Sequence, residues 1–143
     1  MAVGFYRTLE CTDYDVGSQP ERPAVDVTIF GPITGKERSF EAAIDTGFSG
    51  FILVPHETYD ALSELEVPAS EFLSYSTVTG PMTLRRARVV ALTLGKKFET
   101  FIECPFAGTT RFLIGRRILR EFNVALLGLE RRSCTLEASN HRT

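Results

Sequence analysis

A mostly-β, single-domain fold is what this sequence predicts, and three observations carry the prediction. Apolar and polar residues alternate over short runs. Glycine and proline recur between those runs. Helical spacing of apolar residues appears in only one or two short segments. The chain has 143 residues, enough for one domain with a sizeable core.

The elements follow in order. Residues 1–23 include LECTDYDVGSQPERP, which is polar with two prolines and reads as a loop or arm. Ala24 to Phe30 alternates and reads as a strand. The turn GPITGKER leads to a returning strand, Ser39 to Ile44. Phe51 to Val54 is a short apolar strand stopped by Pro55. From His56 to Val67, Tyr59, Leu62 and Leu65 share a helical face, and Pro68 ends the run. Glu71 to Val78 and Met82 to Leu94 are strand-like, with Thr79-Gly80-Pro81 between them. Gly95-Lys96-Lys97 turns the chain into FETFIECPF. Phe112 to Ile114 is a short buried strand, and Arg116 to Phe122 a short helix. Val124–Leu129 and Ser133–Leu136 form a last strand pair, and 137–143 is a loose tail. The expected domain therefore spans 24–136.

Bulk properties exclude several classes. No apolar run approaches the roughly 20 residues that cross a bilayer. The first residues, MAVGFYRTLECTDYDVG, lack a basic segment followed by an apolar one, so no secretory leader is expected. A net charge of −2 argues against a nucleic-acid partner. The charge is uneven along the chain: residues 1–71 hold 4 basic and 13 acidic side chains, and residues 72–143 hold 12 and 5. Folding that interleaves the halves explains this more simply than complementary chains of an oligomer. Cys11, Cys104 and Cys134 are odd in number and widely spaced, which reads as free or buried thiols and makes the cytoplasm the expected compartment.

Four candidate motifs fail on spacing or partners. Gly31 to Glu37 has three residues between its glycines where a phosphate loop needs four, and Glu follows its lysine. Gly47-Phe48-Ser49-Gly50 places its second glycine one residue early for a serine-nucleophile elbow. His56 and His141 are the only histidines, so no histidine-rich metal site is available. Cys104 before Pro105 reads as a core thiol.

One feature resists a purely structural explanation. In EAAIDTGFSGFILVP, Asp45 interrupts an apolar frame, although Asp is a poor strand former and is costly to bury unpaired. Gly47 allows a sharp turn just past a strand end, which presents the Asp45 carboxylate, and the Thr46 hydroxyl can lock the loop. Two such carboxylates held close cannot both ionise. The pair then offers an acid and a base at once.

The segment Ile44–Phe51 together with Leu113-Ile114-Gly115-Arg116-Arg117-Ile118-Leu119, about 70 residues later, resembles the retropepsin-like aspartic proteases, in their cellular, non-viral form. The resemblance covers about residues 24–136. It implies a closed, acid-protease β-barrel with a flap hairpin and one or two short helices. It implies a polypeptide substrate and requires no metal, nucleotide or other cofactor. Asp45 is then the catalytic residue. Thr46, Gly47 and Ser49 support its loop, and Leu113, Ile114, Gly115 and Arg116 pack behind it. Phe48 shapes the pocket beside it, and Val78, Thr79, Gly80 and Pro81 form the flap. Asp45-Thr46-Gly47 occurs once, so a dyad needs a second chain, and a C2 homodimer is expected. The terminal residues 2–8 could interleave at its interface. The walls Ile44, Phe48, Phe51, Leu113 and Ile114 suggest apolar residues on either side of the cut.

Two departures stand out. Retroviral members often carry an acid four positions after the catalytic Asp, paired with the arginine after the second glycine motif. Here that position is Ser49, so Arg116 has no acid there to pair with. Phe48 replaces the small residue of other branches. The alternative function is a dimeric peptide-binding or scaffold module on the same fold. A third reading is release from a larger precursor by a cut within residues 9–23.

Overall fold

The computed structural model describes residues 5–17, 21–78 and 80–139. They form a mostly-β structure with strands β1 (Phe5–Asp13), β2 (Ala24–Phe30), β3 (Glu37–Ile44) and β4 (Ile52–Leu53). Helix α1 (His56–Leu62) and the short β5 (Leu65–Glu66) follow, then β6 (Leu73–Thr77), β7 (Gly80–Thr93) and β8 (Lys96–Pro105). The chain ends with β9 (Leu113–Ile114), helix α2 (Arg116–Leu119), β10 (Val124–Leu127) and β11 (Arg132–Ser139).

The strands make two sheets. In the larger, pairing runs β2-β3-β9-β4-β8-β7 and returns from β7 to β2, so this circuit of six strands has no free end. Strands β5 and β6 pair along other stretches of β7. The smaller sheet is ordered β1-β11-β10.

Strand β7 shows how the core is partitioned. Its odd residues Ala87, Val89 and Ala91 are fully buried in the main cluster with Val25, Val27, Ile52, Tyr59, Leu62, Ile102 and Ile114. Its even residues Met82 and Leu84 face the other side, in a smaller cluster with Leu53, Leu113, Phe48 and Tyr75. Side chains alternate faces along a strand. One long strand therefore feeds both clusters, and full burial of each large apolar side chain contributes about 1.5–3 kcal/mol. The β7–β8 turn has Leu94 and Gly95 at φ 54° and 77°, the left-handed pair that a two-residue hairpin needs.

Four expectations are corrected. Residues 9–13, read as loop, belong to β1, which pairs with β11. The strand was hidden because it lies at an edge, and Tyr6 to Glu10 are exposed and mixed in polarity. The helix expected to reach Val67 stops at Leu62, with Ser63 as its C-cap. Leu65 and Glu66 instead join β7. Glu66 accepts a hydrogen bond from Tyr59 Oη at 2.7 Å and an ion pair from Arg85 at 2.8 Å. Cys11 and Cys134 are not free thiols. They are register partners across β1 and β11, with Cα atoms 4.2 Å apart, and their sulfurs form a disulfide. That bond removes the free-thiol premise behind the expected cytoplasmic compartment. Cys104 is a buried free thiol, as expected. Glu137 to Ser139, expected in a loose tail, extend β11, while 140–143 and 1–4 lie outside the described residues.

The uneven charge resolves by interleaving. Ion pairs Arg7–Glu137, Arg85–Asp60, Arg85–Glu66, Arg131–Glu21 and Arg132–Asp13 each join the acidic half to the basic half. No helix among the described residues is long and apolar enough to cross a membrane.

Candidate active site

Residues Asp45 to Phe51 connect β3 to β4, and β9 lies between those two strands. Ile114 is the register partner of Ile44 on one side and of Ile52 on the other. The loop between is fixed by backbone bonds to the β9–α2 segment. Asp45 N donates to Ile114 O at 3.0 Å, and Gly115 N to Phe51 O at 2.8 Å. Arg116 N donates to Phe48 O at 2.9 Å, and Arg117 N to Gly50 O at 3.1 Å. Gly115 is required by this contact, because a Cβ there would lie 2.4 Å from Gly50 O. A Cβ on Gly50 would lie 2.4 Å from the Phe48 ring and 2.5 Å from Glu103 Oε1. Gly115 thus permits a close approach of backbone to backbone, and Gly50 leaves room for the Phe48 ring and the Glu103 carboxylate.

The held loop presents a half-buried Asp45, whose Oδ1 accepts the Gly47 N–H at 2.9 Å. Thr46 and Gly47 are exposed. The Arg116 side chain is exposed as well, and its contribution to the loop is the backbone bond.

Asp45, Gly47, Phe48 and Ser49 line a groove of about 320 Å³. Leu53 and Leu113 add apolar floor. Tyr75, Ser76, Thr77 and Met82 of the β6–β7 hairpin, with Pro105, Gly108, Thr109 and Arg111, complete the lining. Phe48 meets Tyr75 edge to face, with ring centroids 5.7 Å apart. Of the apolar walls expected from sequence, Phe48 and Leu113 line this groove. Ile44, Phe51 and Ile114 belong to the main core. At the hairpin tip Val78 is fully exposed, Gly80 has φ 120°, and Pro81 is exposed. Thr79 lies outside the described residues.

Sequence reasoning missed the most unusual group near the loop. Glu103 of β8 is fully buried. Its Oε1 accepts the Phe51 N–H at 2.7 Å, and its Oε2 accepts the Tyr75 hydroxyl at 2.8 Å. Arg86, its register partner on β7, brings Nε to 4.0 Å while stacking over Phe51 and Phe101. Burial pushes the Glu103 carboxyl above the ordinary range, opposed by the Phe51 and Tyr75 bonds and by Arg86 and Arg117. Burial and the neighbouring Glu103 push the Tyr75 hydroxyl upward. A weak signal was present: a lone Glu inside the apolar run FIECPF.

The mostly-β fold has a counterpart among solved structures. The EIAV protease complexed with the inhibitor HBY-793 superposes with a TM-score of 0.54 and 17% identity, over 77% of this chain and 93% of that one. No family model matches the sequence, and no curated protein matches it. The likeness defines a retropepsin-like fold.

Proposed function

We propose that the chain is an aspartic endopeptidase that works as a C2 homodimer, with Asp45 and its symmetry mate forming the catalytic dyad. The observation that carries this reading is the Asp45 loop. Bonds from Ile114 and Gly115–Arg117 hold it rigidly, and its carboxylate faces a groove lined by no other acid among the described residues. A second chain supplies the missing carboxylate, and exposed Thr46 and Gly47 leave the loop open to it. The TM-score of 0.54 to a protease adds support at the level of fold.

The two carboxylates share one proton. The ionised member takes a proton from water as the water oxygen bonds to the peptide carbonyl carbon, and the protonated member donates to the carbonyl oxygen. The C–N bond then breaks as the amine takes the proton from the first carboxyl and the second takes one hydroxyl proton of the tetrahedral species, which restores the pair. No covalent intermediate forms. The β6–β7 hairpin acts as the flap. Gly80 gives its tip a turn, and an extended substrate pairs with it strand-fashion while water is excluded. Phe48, Leu53, Met82 and Leu113 favour apolar side chains beside the cut.

The test is digestion of a mixed peptide library at about pH 4 to 7, with Asp45→Asn alongside, read by mass spectrometry. Cuts confined to the intact protein, clustering at apolar pairs, are expected. A confirmed dimer that cuts nothing would transfer the groove to the peptide-binding reading.

A further inference from the structure

We propose that Glu103 is a positioning residue that couples the β6–β7 hairpin to the loop carrying Asp45. Its function in catalysis rests on the endopeptidase reading above, whereas the coupling itself does not. Three elements converge on one carboxylate. The loop arrives through Phe51 N at 2.7 Å, the hairpin through Tyr75 Oη at 2.8 Å, and the β7 floor through Arg86 Nε at 4.0 Å. Neither donor has a simple substitute. Phe51 N follows Gly50, whose missing Cβ is what lets Glu103 Oε1 approach the backbone. Tyr75 presents its ring to Phe48 and its hydroxyl to Glu103, so one side chain of the hairpin touches the loop twice, once directly and once through the carboxylate.

A carboxylate buried this completely is a poor choice for stability alone, since apolar replacements of buried charges are often neutral or stabilising. It is a good choice for holding two movable parts in one geometry, because both oxygens are used and each has a fixed direction. Tyr75 itself lines the groove two residues before the end of β6. A hairpin that moved toward a substrate would carry Tyr75 with it and so act on the segment Phe48–Phe51. Closure of the hairpin and the set of the Asp45 loop become one event.

The test compares Tyr75→Phe, Glu103→Leu, the double variant and Glu103→Gln, each first shown to be folded. Amide exchange is read at the β6–β7 hairpin and at Phe51, and cleavage where it exists. Tyr75→Phe removes one hydroxyl and keeps the ring. It should speed exchange in the hairpin and lower kcat about tenfold, the equivalent of one lost hydrogen bond, with KM little changed. Glu103→Leu should add faster exchange at Phe51. The double variant should be no worse than Glu103→Leu, because Tyr75 acts through the carboxylate, and Glu103→Gln should recover most of the loss. Additive effects, or unchanged hairpin exchange in folded Tyr75→Phe, overturn the coupling. Should Asp45→Asn and the intact protein both fail to cut, the endopeptidase reading fails, and the exchange data still decide the coupling.

Discussion

At the residue scale, the site depends on atoms that are absent as much as on those present. Gly115→Ala would place a Cβ 2.4 Å from a backbone carbonyl, which cannot rotate away. Overpacking typically costs about 1–3 kcal/mol, and this contact lies at the upper end or beyond, so a lower denaturation midpoint is expected. Glu103 makes a signed pH prediction. Its folded pKa is raised from 4.5, so its contribution to stability is fully present below that value and is lost as pH rises through the folded pKa. Glu103→Gln lacks this loss. Its stability relative to the intact protein should improve from about pH 4 to pH 7, as chemical denaturation at both values would show. A steady or worsening difference would mean that the bonds from Phe51, Tyr75 and Arg86 outweigh burial. Asp45 and its two glycines were legible because their types are costly or permissive in a local frame. Glu103 was not, because its meaning lies in partners 28 and 52 residues away.

At the element scale, alternation and turn residues located most elements but few of their ends: β2 spans the expected Ala24–Phe30 and the Gly95 turn falls between β7 and β8, whereas α2 stops at Leu119 and not at Phe122. Legibility failed where tertiary pairing decides. Leu65 continues a helical face in sequence, yet a place beside β7 opposite Arg88 takes it into a strand. Strand β1 has little apolar pattern because it is an edge, and it is held by β11 and by the Cys11–Cys134 bond, which closes a loop of sequence separation 123. Removing that link by Cys11→Ala with Cys134→Ala should lower stability by about 2–5 kcal/mol, measured by denaturation under non-reducing conditions. Under reductant the intact protein should approach the variant. An intact protein whose midpoint ignores reductant, with alkylation showing three accessible thiols on unfolding, would mean that the bond does not form.

At the scale of the whole molecule, two sheets and two apolar clusters place one carboxylate at one groove. Ion pairs between the two chain halves form within one protomer, so the uneven charge along the sequence is no argument for a second chain. Sequence counting carried the inference of a second chain, since one Asp-Thr-Gly makes half a dyad. The proposed pair needs two chains, and the measurement that tests it uses mixtures of intact and Asp45→Asn protein. Intact protein and Asp45→Asn would be co-refolded in varying proportion at fixed total concentration, and the cleavage rate followed. If both carboxylates are needed, the rate falls as the square of the intact fraction. A rate that falls in simple proportion to that fraction would show each chain cutting by itself, and would contradict the shared dyad.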